Sequence, residues 1–103
     1  MTVELLWWDG CPSHPDALDQ LNRILREEGV RTDVELVEVT SDEQAQRERF
    51  FGSPTIRIDG EDIVPPGNGE PCSLTCRVYR TRAGKISPIP DPEDVREAVR
   101  RAA

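Results

Sequence analysis

With 103 residues the chain suits one domain with a single core, residues 1–103, and is too short for two. It carries 20 acidic against 13 basic residues, a formal charge of -7, which repels phosphate backbones and anionic lipid and argues against nucleic acid and membrane as partners. No apolar run approaches bilayer length, and the first residues show neither a basic lead-in nor a small-residue cleavage pattern, so a cytoplasmic address is expected.

Val3 to Trp8 is an apolar run of strand length, with Val3, Leu5 and Trp7 on one face and Leu6 and Trp8 on the other, as in a strand covered on both sides. Asp9-Gly10-Cys11-Pro12 turns the chain. From Pro15 to Gly29 the positions Leu18, Leu21, Ile24 and Leu25 mark one face of a helix that Gly29 ends. Asp33 to Thr40 reads as a second strand, in which Val34 and Leu36 break step with Val37 and Val39 while Glu35 and Glu38 lie near its margins. Asp42 to Phe51 reads as a second helix, polar on most sides, anchored by Ala45 and the Phe50-Phe51 pair and stopped by Gly52. The order strand, helix, strand, helix implies a right-handed crossover between neighbouring parallel strands.

Thr55 to Ile58 and Glu61 to Val64 form a hairpin across Asp59-Gly60, a strong two-residue turn. Pro54 stands at the head of the first of these strands, where a ladder donor can be forgone. Pro65 to Pro71 is a loop dense in proline and glycine. Beyond it Cys76 to Arg80 and Lys85 to Ile89 can pair across Thr81-Arg82-Ala83-Gly84 as an added hairpin. Asp91 to Ala103 closes the chain as a helix, capped by Asp91, with Pro92 in its first turn and a narrow apolar face of Val95, Ala98 and Val99.

The chemistry of the chain centres on Cys11. A thiol beside the start of a helix near Ser13 meets free amides and the positive end of the helix dipole, which favour the thiolate. His14, three residues on, can approach the sulfur and, if protonated, favour the thiolate further. The plainer reading is that Ser13 and Asp16 form a capping pattern and His14 is a first-turn polar residue. Three cysteines, Cys11, Cys72 and Cys76, are an odd number that fits reactive or metal-binding thiols better than a fixed disulfide framework. Any one of them can also be a small buried hydrophobe.

Gly10-Cys11-Pro12-Ser13-His14 is similar to the Gly-Cys-Pro-aromatic-Cys site of glutaredoxins, and Ser53-Pro54-Thr55 resembles the loop whose cis-proline faces that site. Ile56 to Ile63 resembles the hairpin that follows it. Together, and in this order, they resemble the thioredoxin-like superfamily in its small glutaredoxin-like branch, over residues 3 to 64 and the last helix. The resemblance implies an α/β, thioredoxin-like fold, a four-stranded mixed sheet flanked by helices; the added hairpin before the last helix lies within residues 65 to 90, which the resemblance leaves unmatched. It also implies a cis Ser53–Pro54 bond, a Ser53 backbone that pairs with an extended substrate, and a substrate surface of Trp8, Pro12, Ser53 and Pro54. Three departures stand out. His14 replaces the second active-site cysteine, Asp9 stands near where glutaredoxins often carry a basic residue, and the glycine-aspartate pair that holds glutathione is absent after Val64, where Gly67-Asn68-Gly69 is only a faint echo. Cys76-Arg77-Val78-Tyr79 also resembles a segment of small bacterial thioredoxin-like proteins sometimes associated with organomercurial lyases.

Three functions follow in order of expectation. The first is thiol-disulfide exchange with a protein or small-molecule thiol or disulfide, Cys11 acting as nucleophile and Cys76 or Cys72 as resolving thiol. The second is a non-catalytic binding module that uses the cis-proline edge and an exposed Trp8 region. The third is handling of mercury, organomercurials or other soft metals by thiolates, although Cys72-x3-Cys76 is looser than the usual close pair of zinc sites. No cofactor and no resident metal is expected. In the sheet that the resemblance implies, the loop after Val64 emerges on the reactive side, so Cys72 or Cys76 should lie near Cys11. Cys76 is favoured because it opens a strand-like run, and a local Cys72–Cys76 bridge is the competing outcome.

Overall fold

The apolar run at the start of the chain becomes β1 (Val3–Trp7), and its two-sided pattern puts it inside a sheet rather than at an edge. In the computed structural model, which describes residues 1–67 and 69–103, β1 pairs in parallel with β2 (Val34–Glu38) and antiparallel with β3 (Thr55–Ile58). β3 in turn pairs antiparallel with β4 (Glu61–Asp62), giving a mixed sheet of order β2-β1-β3-β4. Asn68 of the expected Pro65 to Pro71 loop, the middle of the Gly67-Asn68-Gly69 stretch, lies outside the described residues.

Among those residues three helices, α1 (His14–Glu27), α2 (Asp42–Glu48) and α3 (Pro92–Ala102), cover the sheet. The alternation of β1 sorts the core into two clusters. Val3 and Leu5 face Leu21, Ile24 and Leu25 of α1 and Val95 and Val99 of α3, with Ile56 and Ile58 beside them. Leu6 faces the other way, onto Val39, Ala45 of α2 and Phe50. Each fully buried Leu, Ile or Phe here contributes about 1.5–3 kcal/mol of transfer free energy. Across the α1–α3 seam Arg96 meets Glu27 at 2.9 Å and Glu28 at 3.1 Å, and Arg100 meets Glu28 at 2.8 Å. These pairs orient the two helices more than they stabilise them.

Several boundaries differ from expectation, each for a visible reason. α2 stops at Glu48, because Arg49 turns left-handed at φ 55 and ψ 48 and the Phe50 amide bonds back to the Ala45 carbonyl at 2.8 Å. Gly52 is therefore not the helix stop, and Phe50 rather than Phe51 is the buried anchor. β4 ends at Asp62 rather than Val64, since the Val64 amide leaves the ladder for Asp62 Oδ1 at 3.0 Å. β2 is an edge strand, which accounts for the broken pattern of Asp33 to Thr40 and for Leu36 being 56% exposed. The added hairpin shrinks to β5 (Tyr79–Arg80) against β6 (Ile86–Ser87), because Cys76 pairs elsewhere. Among the described residues no helix is long and apolar enough to cross a membrane.

Candidate functional site

The loop after β1 is built around the Trp8 ring. The Trp8 carbonyl accepts from the Cys11 amide at 3.1 Å, closing a tight turn, and the ring lies so near Gly10 that a Cβ there would come within 2.3 Å of it. Glycine is required at that point by space alone. The ring is half-buried against the cluster of Leu6, Val39 and Phe50, so Trp8 is a support for the loop and not the exposed surface expected of it. Pro12 is exposed, whereas Cys11 is only 3% exposed.

α1 starts where the sequence suggests, with Ser13 at its N-cap and Pro15 in its first turn. The capping pattern of Ser13 with Asp16 is not used, however. The Ser13 side chain caps no amide, and its hydroxyl lies 3.3 Å from Cys11 Sγ. His14 also departs from expectation. Its ring stacks on Trp7 with centroids 4.3 Å apart, and its Nδ1 faces the Cys11 carbonyl oxygen at 3.5 Å rather than the sulfur.

The second wall of the site is Ser53-Pro54, a cis peptide with both residues buried. Ser53 Oγ accepts from the Trp8 amide at 3.0 Å, and the Ser53 carbonyl lies 3.5 Å from Cys11 Sγ. The Ser53 backbone was expected to be open for a substrate strand. Instead its amide donates to the Thr75 carbonyl at 2.8 Å and its carbonyl accepts from the Arg77 amide at 2.8 Å, so Cys76 forms a parallel bridge with Ser53. The chain supplies its own strand at that edge.

Residues that local patterning does not reveal hold this strap down. Gly52, at φ +136, permits the close approach, since a Cβ there would lie 2.9 Å from Arg77 Cβ and 3.0 Å from its Cα. The buried Arg77 guanidinium donates to Thr55 Oγ1 at 3.2 Å, to Asp62 Oδ2 at 2.8 Å and to the Val64 carbonyl. It also lies 4.9 Å from the centre of the Tyr79 ring, and the Tyr79 hydroxyl donates to the Pro54 carbonyl. Burial holds the Asp62 carboxyl above the ordinary range, an effect that the neighbouring Arg77 charge reduces without cancelling. The only sequence signal for this cluster was the Cys-Arg-Val-Tyr run, which carries a resemblance but no contact.

The strap brings one of the two later cysteines to the site. The bridge to Ser53, whose carbonyl lies 3.5 Å from Cys11 Sγ, puts Cys76 next to Cys11, close enough for each thiol to influence the ionisation of the other, whereas Cys72 is half-buried and has no part in the Cys11 shift. All three cysteines are free, and Cys76 is exposed. Burial pushes the Cys11 thiol up, but hydrogen bonds from Cys76, from the Ser13 hydroxyl and from the Ser13 amide outweigh it, and the net direction is down. Cys76 is pushed up to about 11, first by its hydrogen bond to Cys11, then by burial and by the charge on Cys11. The pair thus gives up its first proton from the Cys11 side and keeps the second. Among the described residues no three His, Cys, Asp or Glu side chains converge into a metal site.

A thiol shifted down beside one shifted up is an arrangement that suits disulfide exchange, which needs an attacking thiolate and a leaving sulfur. No protein family, curated protein or solved structure matches this chain, and the reading of the site rests on its own geometry.

Proposed function

We propose that this protein is a thiol-disulfide oxidoreductase of thioredoxin-like fold that cycles between a Cys11, Cys76 dithiol and a Cys11–Cys76 disulfide. The observation that carries the reading is that Cys76 bridges to Ser53, whose carbonyl lies 3.5 Å from Cys11 Sγ, so that both thiols share one site; their opposite acid tendencies agree with it. Cys11 is the nucleophile, because its thiolate is stabilised by Ser13 and Cys76 at the head of α1. Cys76 donates to that thiolate when reduced and bonds to it when oxidised. The strand order β2-β1-β3-β4, with Cys11 after β1 and the cis-proline before β3, supports the fold assignment.

The filled Ser53 edge weighs against the binding-module alternative, which needs that edge free. Soft-metal handling is the second reading, because two adjoining thiolates suit a thiophilic ion with few ligands.

The test is turnover of hydroxyethyl disulfide with dithiothreitol as the final reductant, with peptide mapping of the oxidised protein. A Cys11–Cys76 bond should form, and Cys11→Ser should reduce turnover at least roughly tenfold, equivalent to ~1.4 kcal/mol in the barrier. Equal rates for the two proteins would refute the reading. Stoichiometric mercury binding without disulfide turnover would move the assignment to the second.

A further inference from the structure

Resting on the oxidoreductase reading, we infer that the partner of this site is a small thiol or disulfide, not an extended polypeptide, and that it exchanges at the Cys76 sulfur. The geometry that leads there is the strap. An extended substrate segment docks by bonding to free backbone groups beside a reactive sulfur. Here the Ser53 amide and carbonyl are both taken, by Thr75 and Arg77. Displacing that segment would also break the contacts of the buried Arg77 with Thr55, Asp62 and Val64 and the bond from Tyr79 to Pro54. The edge is closed to a second strand while the strap stays in place.

Access divides the two sulfurs. Cys11 is 3% exposed and boxed in by Ser13, Ser53 and Cys76, whereas Cys76 is exposed. A groove of about 430 Å³, lined by Val64, Pro66, Thr75, Cys76 and Tyr79 among others, runs past it. That volume falls in the range of small-molecule sites, roughly 300–1,000 Å³. A reactant arriving from solvent meets Cys76 first.

The chemistry then runs as follows. A small thiolate attacks Cys76 Sγ of the Cys11–Cys76 disulfide, forming a mixed disulfide on Cys76 and breaking the internal bond. The electron pair leaves on Cys11 Sγ, the better leaving sulfur of the two. A second small thiolate attacks the outer sulfur of the mixed disulfide, releasing a small disulfide. Cys76 then takes a proton from water. Two small thiols are oxidised and the protein disulfide is reduced by two electrons. Run in reverse, Cys76 gives its proton to solvent and attacks a small disulfide, releasing one small thiolate; the Cys11 thiolate, nucleophile of the bond-closing step, then attacks Cys76 Sγ of the mixed disulfide, releasing the second small thiolate and forming the internal bond.

The test uses the full chain, first oxidised with excess hydroxyethyl disulfide. Brief exposure to 2-mercaptoethanol in the presence of N-ethylmaleimide, followed by acid and peptide mapping, locates the first adduct. We expect the mercaptoethanol adduct on Cys76 and the maleimide on Cys11. The reverse placement would overturn the inference. In parallel, reduced protein should turn over hydroxyethyl disulfide at least roughly tenfold faster per disulfide than insulin. Insulin reduction at an equal rate, still dependent on Cys11, would leave the oxidoreductase reading standing and sink this one. Failure of the Cys11–Cys76 disulfide to form at all would remove both.

Discussion

At the scale of single residues, the acidity of Cys11 is set by who donates to its sulfur. Burial alone would make it a poor thiolate, and the largest opposing influence is the Cys76 thiol, followed by Ser13. Because Cys76 stays protonated until about 11, it remains a donor over the whole range in which Cys11 ionises. Cys76→Ala should therefore raise the midpoint of Cys11 ionisation, leaving less thiolate at any pH below it. The pH dependence of Cys11 alkylation by a small reagent measures this directly, and an unchanged or lowered midpoint would contradict the assignment. His14→Ala should move the midpoint less than Cys76→Ala, since the ring addresses Trp7 and the Cys11 carbonyl.

At the scale of elements, the strap from Thr75 to Tyr79 depends on one buried cation. Arg77→Ala removes the partner of a partly buried carboxylate and should cost about 3 kcal/mol near neutral pH. The loss should shrink on acidification. Asp62 already titrates above its unfolded value, and without Arg77 it is driven further up. A raised carboxyl keeps its full folded stability only below the unfolded pKa and loses it as pH rises through the folded one. Urea unfolding of wild type and variant at pH 4 and pH 7 should show the larger difference at pH 7. A second element carries strain of its own. Arg49 at φ 55 lacks the freedom of glycine, and Arg49→Gly should stabilise the chain by about 1 kcal/mol in the same assay.

The elements themselves were largely legible, because β1, α1, β3 and α3 bury faces whose spacing appears in the chain as Val3-Leu5, Leu21-Leu25, Ile56-Ile58 and Val95-Val99. The strap was not. A single parallel bridge between Ser53 and Cys76 has no periodicity and no turn, and a buried arginine looks the same in sequence as an exposed one. Cys11 and Ser53-Pro54 could be picked out by resemblance. That Ser53 is already paired depends on chain passing 22 residues later, which local reading cannot see.

At the scale of the whole molecule, the site is assembled from segments around residues 11, 53 and 76, so it exists only when the sheet is complete. The Cys11–Cys76 pairing has a further consequence, which lies in the unfolded chain. A bond between them would tie off a loop of about 65 residues and remove conformational freedom that the denatured ensemble otherwise has, worth ~4 kcal/mol on a chain-entropy estimate. The oxidised protein should accordingly unfold at higher urea than the reduced one by that margin, and a Cys76→Ser chain should respond to neither oxidant nor reductant. Equal midpoints for the two redox forms would count against the bond. Under the proposed dithiol–disulfide cycle, redox state and resistance to unfolding become one equilibrium seen from two sides: whatever reduces this protein should also loosen it.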